Sequence, residues 1–424
     1  MRVLNAATSL LVSASFSGRS LYTPNFRVSP ICSRLTHATP ALHFATRLSS
    51  EVLPLSDADS VAARKFVDLV GQRNGNTMTI NLLTSADGPV PSAEIYYIYL
   101  FMYVNIRYTI YVLRIFAEVS DFSSNFHTLA EQFGSSDNQL KLVGILRKLW
   151  NDVVDPIVQA LRQSNVCPGS RIWWCPTAEF TLLPLHAAGP YEKRKDNLSD
   201  IYISSYTPTL TTLIRARQQV SRDTSSQHFV AIGQGNPVNG RELKCVTSEL
   251  AAVAQHVTPI ISFTSLEDAN ATVENALDAL DHNQWLHLAC HGMPNRTQPF
   301  ESSFAMRDGP LMIKDIIRSH WHNPQFAFLS ACHTTVGDEK NPDESIHLAA
   351  AMQFCGFRSV IGSMWSVDDE VARQVVSAFY RNLIDDSKRL DCMRAAIALH
   401  KAVKSLRKKK IPLEQQIVFV HIGV

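Results

Sequence analysis

The sequence predicts an α/β fold with a mostly parallel sheet that helices cover on both faces. From residue 171 onward, short apolar runs alternate with longer amphipathic stretches. Strands that alternate with helices of this length are typical of βαβ units. The chain has 424 residues, 46% of them hydrophobic and 18% charged. This length allows two or three domains with a sizeable core, and the composition excludes wholesale disorder.

The individual elements follow from periodicity and from capping signals. A helix begins behind the candidate N-caps Ser135 and Ser136, and we expect Asp155-Pro156 to interrupt it because the residue before a proline avoids the helical region. Strands are predicted at Arg171–Pro176, Phe229–Gly233, Trp285–Cys290, Phe326–Ala331, Val360–Trp365 and Ile417–Ile422. Helices are predicted at about Glu242–His256, Ser345–Cys355, Glu370–Ile384 and Leu390–Leu406, with Gly356 as a natural C-cap of the second.

The N-terminal part has a different composition. Residues 1–50 contain five Arg and no Lys, Asp or Glu, which is typical of a mitochondrial targeting peptide. A disordered tail or a wrongly assigned start is the alternative. We therefore divide the chain into a disordered or targeting-like tail (1–54), a poorly defined region (55–134) and a main domain (135–424).

Ile95–Phe116 is an apolar, Tyr-rich stretch inside the poorly defined region. Its 22 residues are long enough to span a bilayer. However, Asn105, Arg107 and Arg114 fall inside it, and a charged residue at the bilayer centre is costly. A membrane helix is therefore the less favoured interpretation. A buried strand or helix is preferred, and a segment foreign to the folded protein stays open.

Charge and cysteine content exclude several classes of function. The formal net charge is +2, and without the five N-terminal arginines the rest of the chain carries −3, which argues against nucleic acid as a partner. The eight Cys are too few for a disulfide scaffold, and none forms a C-x-x-C pair, so structural zinc is not expected. We expect an intracellular, reduced protein that is cytoplasmic, with mitochondrial as the alternative location.

Two predicted strands end in residues suited to nucleophilic catalysis. Trp285–Cys290 runs into His291-Gly292, and Phe326–Ala331 runs into Cys332. Chemistry in open α/β sheets gathers at the carboxyl ends of strands, where an imidazole beside a thiol and backbone N–H groups form a cysteine protease site. The alternatives are a small core cysteine and a hydrogen-bonded polar histidine.

Two other classes of site, a histidine-bound metal ion and a serine hydrolase, receive little support from the sequence. His287 and His291 lie about 13 Å apart on a strand, too far to share a metal ion. There is no G-x-S-x-G motif, which disfavours a serine hydrolase of the α/β type.

Several ordered motifs resemble the CHAT family, including its fungal members. They are WLHLACHG (285–292), AFLSACHT (327–334), DESIHLAAAMQFCGFRSVIGSMWSVDDEVA (343–372) and FVHIG (419–423), with RIWWCPTAEFTLLPLHAAG (171–189) and ISSYTPTL (203–210) upstream. This family belongs to the caspase-like clan of cysteine peptidases. The resemblance implies a caspase-like three-layer α/β/α domain and an intracellular cysteine endopeptidase, acting in signalling or regulated cell death.

The resemblance also assigns roles at the predicted site. His291 corresponds to the family's catalytic histidine and Cys332 to its nucleophile, and the N–H groups of Gly292 and Cys332 are expected to bind the oxyanion. Relatives such as separase and the gingipains prefer a basic residue before the cut, so Asp338, Asp368 and Asp369 are candidate substrate-binding acids. Asp368 or Asp369 is equally suited to capping the helix that follows.

No cofactor and no metal are implied. The expected partners are protein substrates and a regulatory protein. The TPR repeats that the family often carries are not evident upstream of Ser135, and Gln416 and Val418 replace the Trp and Pro usual before FVHIG. A non-catalytic scaffold with the same fold is therefore the alternative function.

Overall fold

A computed structural model describes most of the chain from residue 123 onward and two strands before it. The described residues are 79–85, 95–101, 123–130, 136–176, 178–218, 227–237, 242–295, 298–319, 323–331, 348–385, 387–407, 409 and 411–424. The predicted tail (1–54), Cys332 and Asp338 lie outside these ranges.

A mixed sheet of ten strands forms the centre of the fold. Its strands in chain order are β1 (Thr79–Ser85), β2 (Ile95–Phe101), β3 (Arg171–Cys175), β4 (Ile203–Tyr206), β5 (His228–Gly233), β6 (Ser262–Glu267), β7 (Trp285–Ala289), β11 (Phe326–Ser330), β12 (Ser359–Ser363) and β13 (Phe419–Gly423). A separate three-stranded sheet contains β8 (Gly292–Met293), β9 (Ser303–Ala305) and β10 (Pro310–Met312).

The order of strands in the large sheet is β1-β2-β3-β4-β13-β12-β11-β7-β5-β6. Neighbours from β12 to β6 are parallel, and so are those from β2 to β13. The pair β12 and β13 is antiparallel, so the nine strands from β2 to β6 in this order form two parallel blocks that run in opposite directions. The carboxyl ends of β5, β6, β7, β11 and β12 therefore meet at one edge, where β13 begins.

Eleven α-helices with the following bounds surround this sheet in the described part of the chain. They are α1 (Ser136–Leu149), α2 (Asp155–Gln163), α3 (Leu198–Ile201), α4 (Leu210–Gln218), α5 (Val246–Val257), α6 (Val273–His282), α7 (Ile313–Arg318), α8 (Leu348–Phe354), α9 (Asp369–Leu383), α10 (Ala395–Leu406) and α11 (Leu413–Gln416). Residues 123–130 are also helical.

The helices lie on both faces because successive connections move in opposite directions across the sheet. The chain passes from β5 through α5 to β6 at the edge, then through α6 back past β5 to β7. Since parallel crossovers are right-handed, α5 and α6 cover opposite faces. α9 packs against α5 and α10. The predicted fold class, α/β with a mostly parallel sheet covered on both faces, is confirmed.

The strand predictions from Arg171 onward are confirmed within two residues, but the interruption at Asp155-Pro156 is wrong. The chain forms a π-helical turn at Trp150–Val154 and continues into α2, with the proline in the first turn of α2. The π-helical turn changes the backbone hydrogen-bond pattern directly before the proline, since the Asp155 N–H donates to the Trp150 carbonyl, five residues back.

The strands β1, β4 and β6 and the small sheet were not predicted from the sequence. β6 is an edge strand with three exposed residues, Ser262, Thr264 and Ser265, so it lacks the apolar run that identified the central strands. β8 to β10 have two or three residues each, too few to show a period.

The apolar stretch Ile95–Phe116 is a β-strand over its first seven residues, Ile95–Phe101, and this strand pairs in parallel with β3. The rest of the stretch lies outside the described residues. Within the described ranges, no helix is long and apolar enough to cross a membrane.

Candidate active site

A cleft opens at the edge of the sheet where β7 and β11 end. It encloses about 430 Å³ of space, part of which is open solvent, and is bordered by the start of α5, the ends of β7 and β11, the β12–α9 loop and the start of β13. Its lining residues are Leu243, Cys245, Val246, Glu249, Ala289, Cys290, His291, Ser330, Ala331, Val367, Asp369, Ala372 and Phe419. In an open α/β sheet this is the edge at which ligands bind.

His291 lies in this cleft, two residues beyond the end of β7 and half-buried. The neighbouring strand β11 ends at the same level, since Ala289 pairs with Ser330. Ala331, the residue before the predicted nucleophile, also lines the cleft. Cys332 itself lies outside the described residues. The structure thus brings the predicted histidine and the residue bonded to the predicted nucleophile to one cavity.

The small sheet determines the direction of the Gly292 backbone. The Ala305 N–H donates to the His291 carbonyl at 2.9 Å, and Gly292 pairs with Phe304 in the antiparallel ladder. Hydrogen-bonded and non-hydrogen-bonded pairs alternate in such a ladder, so Gly292 and Phe304 form a non-hydrogen-bonded pair. The Gly292 N–H consequently points away from β9.

The carbonyl of Ala331 accepts a hydrogen bond from a side chain of the neighbouring strand β12. The Ser363 hydroxyl, at the end of β12, donates to it over 2.7 Å, and Ser363 is fully buried. This bond fixes the peptide unit that leads out of β11. The sequence analysis missed Ser363, because a serine in an otherwise apolar strand gave no indication of its partner.

The two neighbouring aspartates at the start of α9 have different environments. Asp368 is exposed, and its carboxylate accepts from the backbone N–H groups of Glu370 and Val371 at 3.1 Å. It is therefore the N-cap of α9, which was the alternative given for it. Asp369 is half-buried and lines the cleft. Asp338 lies outside the described residues.

The environment of Asp369 raises its pKa above the ordinary value of 3.8, because burial removes water from the carboxylate. The negative charges of Asp368 and Glu249 act in the same direction, whereas the Lys244 backbone and His291 lower the pKa. Asp369 and His291 thus lie within electrostatic reach of each other in the same cleft.

Replacing Asp369 with asparagine is expected to stabilise the protein at neutral pH. With a raised pKa, the folded protein holds this proton more tightly than the unfolded chain does, so ionisation costs stability as the pH rises past 3.8. The gain of Asp369→Asn in urea midpoint should therefore be largest at pH 7 and shrink towards pH 4. A gain that does not change with pH would contradict this origin.

The floor of the cleft contains a buried polar network. Glu249 on α5, with a side chain 5% exposed, lies 2.9 Å from Nε2 of the fully buried His287 on β7. The other ring nitrogen of His287 lies 3.1 Å from the hydroxyl of Tyr380 on α9. Burial raises the pKa of Tyr380, and the charge of Glu249 adds to this effect, so the phenol keeps its proton.

Glu249 was not predicted as a site residue, although its spacing from the apolar residues of α5 places it on the buried face of that helix. Val246, Leu250, Val253 and Val257 form the buried face of α5, and Glu249 falls on the same face at helical spacing. A charged residue within an apolar stripe predicts a buried, partnered acid. His287 was considered only for a metal pair. No cluster of three or more His, Cys, Asp or Glu that could hold a metal ion occurs among the described residues.

The family model of the CHAT domain matches residues 143–418, which is more than half of the sequence. The chain therefore belongs to the CHAT family, as its motifs predict. No curated protein matches the chain in sequence.

Solved structures similar to this chain are distant. The Arg-specific cysteine proteinase gingipain R (RgpB) is 12% identical, with a TM-score of 0.42 over 72% of this chain and 74% of that one. The complex of the pro- and mature domains of Porphyromonas gingivalis RgpB is also 12% identical in sequence. Its TM-score is 0.42, over 76% of this chain and 77% of that one. The Saccharomyces cerevisiae separase–securin complex is 12% identical in sequence, with a TM-score of 0.42 over 60% of this chain and 15% of that chain.

Proposed function

We propose that this chain is an intracellular cysteine endopeptidase that cleaves proteins with a His291–Cys332 dyad. The observation that carries the proposal is the position of His291 and Ala331 in one cleft at the carboxyl ends of two adjacent parallel strands. Membership of the CHAT family supports it, since the matched region includes both residues of the dyad.

The residue bonded to the proposed nucleophile belongs to the cleft. Ala331, which directly precedes Cys332 in the sequence, lines the cavity. The hydroxyl of the buried Ser363 donates to the Ala331 carbonyl over 2.7 Å, so the end of β11 is anchored to the end of β12.

These positions fit acyl transfer. The Cys332 thiolate attacks the scissile carbonyl and forms a tetrahedral intermediate, whose oxyanion accepts hydrogen bonds from the N–H groups of Gly292 and Cys332. His291, holding the thiol proton as imidazolium, donates it to the leaving amine as the C–N bond breaks. Water, deprotonated by His291, then hydrolyses the thioester and releases the thiol and the acid.

Asp369 is our proposed recognition acid for a basic residue before the cut. It combines a place in the cleft with partial burial, which strengthens an ion pair relative to one in water. Asp368 is occupied as a helix cap, which makes Asp369 the better candidate of the two. Asp338 is retained as a prediction from sequence, and so are a regulatory protein partner, a signalling or cell-death role and a cytoplasmic location.

The test is cleavage of a proteome-derived peptide library by the wild-type chain and by Cys332→Ala. We expect cuts after Arg or Lys in the wild type, none in Cys332→Ala, and a weakened basic preference in Asp369→Asn. Cleavage that persists in Cys332→Ala would refute the dyad. Function in cells that survives this substitution would favour the non-catalytic scaffold.

A further inference from the structure

Glu249 is a second acid in the cleft, and the proposed reaction does not use it. It comes from α5, whereas Asp369 comes from α9, and both line the same cavity. The negative charge of Glu249 contributes to the raised pKa of Asp369, so the two carboxylates interact electrostatically. The two acids therefore face one volume from different elements.

A hydrogen-bond network holds the Glu249 side chain in place. In the part of the chain that the structure describes, the buried Tyr380 hydroxyl bonds to Nδ1 of His287. The arrangement that satisfies all three groups has Tyr380 donating to Nδ1 and Nε2–H donating to Glu249. This arrangement uses Oε1 of Glu249 as the acceptor for His287.

Two local features stabilise a negative charge on the Glu249 carboxylate, and neither of them neutralises it. Glu249 lies in the first turn of α5, where the helix dipole favours an anion. Arg373 on α9 interacts with it through space, but its guanidinium is bonded to Glu370 at 2.6 and 2.8 Å. A cation that enters the cleft would therefore meet the Glu249 carboxylate, which lines it.

We propose that Glu249 is a second specificity-determining residue, which selects a guanidinium by binding it together with Asp369. A guanidinium is planar and presents donors along more than one edge, so two carboxylates on separate elements are able to share it, whereas an ammonium is a compact point charge. Apolar residues of the cleft, Leu243, Val367 and Phe419 among them, suit the methylene stem of an arginine. The inference rests on the proposed function in taking the bound group to be a substrate side chain.

The test is binding rather than turnover, by ligand-observed NMR titration with N-acetyl-argininamide, its neutral analogue N-acetyl-citrullinamide and N-acetyl-lysinamide. Wild type should bind the arginine amide about hundredfold more tightly than the citrulline amide, the size expected of two charge-assisted hydrogen bonds, one to each acid, at about tenfold each. Glu249→Gln, which keeps an acceptor for His287, should weaken arginine binding about tenfold and lysine binding less.

Three controls separate charge from support of the fold. Tyr380→Phe disturbs the network but keeps the carboxylate, so its arginine affinity should stay within about twofold of wild type. Asp278→Asn removes one exposed negative charge on α6 and should have no effect. Asp369→Asn should keep a measurable preference for arginine over citrulline, because Glu249 remains.

Unchanged arginine affinity in Glu249→Gln would overturn the proposal, and so would equal losses in Glu249→Gln and Tyr380→Phe. If Glu249→Gln does not fold, loss of all arginine preference in Asp369→Asn would overturn it. A cleft that selects arginine through Glu249 while Cys332 is inert would refute the peptidase and leave this inference standing.

Discussion

Replacing His291 with alanine is expected to reduce kcat/KM for a cleaved peptide on the order of 10⁴-fold, and Cys332→Ala is expected to do the same. The dyad acts as a unit, because the imidazole both holds the thiol proton and delivers it to the leaving amine. Once one partner is absent, removing the other costs little more. The double variant His291→Ala/Cys332→Ala should therefore be no slower than either single variant.

The measurement is single-turnover cleavage of one peptide by the four proteins at equal concentration. His287→Gln serves as a matched control, since His287 also lies on β7 but is fully buried beneath the cleft. Its effect should be far smaller than that of His291→Ala. Effects of the two single substitutions that multiply in the double variant would mean that the groups act separately.

Replacing Phe328 with alanine is expected to lower the free energy of unfolding by about 3–5 kcal/mol. Phe328 is fully buried at the centre of β11. Its ring centroid lies 5.2 Å from that of Phe379, 5.3 Å from His287, 5.8 Å from Phe419 and 6.1 Å from Tyr380. The substitution leaves a cavity between β11, β7 and α9, directly under the cleft.

Urea unfolding followed by tryptophan fluorescence measures this loss. Phe300→Ala is the matched control, because the same side chain is 50% exposed there, and its effect should stay within about 0.5 kcal/mol. A loss below about 1 kcal/mol in Phe328→Ala would mean that the cluster is loosely packed.

The central fold was predictable because its strands are buried on both faces. β5, β7, β11 and β12 are runs of apolar residues bounded by turns, and such runs are visible without any tertiary information. β6 and the small sheet were missed because exposed or very short strands carry no such signal. The effect of the proline at residue 156 was misjudged because a π-helical turn precedes it and the helix continues. No local sequence pattern predicts a π-helical turn.

The candidate site was predictable only in part. His291 and Gly292 follow a recognisable strand, so their place at the sheet edge followed from topology. The choice between Asp368 and Asp369 depended on which carboxylate turns back to cap α9, and adjacent residues of the same type do not reveal that. Glu249, His287 and Tyr380 are 38 and 93 residues apart along the chain, so only the packing of α5, β7 and α9 brings them together.

Other cysteines of the chain, one of them in the cleft, provide internal controls for the most direct test of the dyad. Burial raises the pKa of Cys245, and the charges of Asp369 and Glu370 add to this effect. Burial also raises the pKa of Cys392 to about 11 and that of Cys355 to about 12. These thiols should resist alkylation at low pH, whereas a thiolate paired with an imidazolium has a pKa far below the ordinary value of about 8.5.

The decisive measurement is the pH profile of iodoacetamide alkylation of each cysteine, mapped by mass spectrometry in wild type and in His291→Ala. We expect Cys332 to react selectively near pH 6 in wild type and to lose this reactivity in His291→Ala, while the other thiols are unchanged. If Cys332 instead follows the same pH profile as the exposed Cys167 in both proteins, the dyad is not assembled and the proposed peptidase is contradicted.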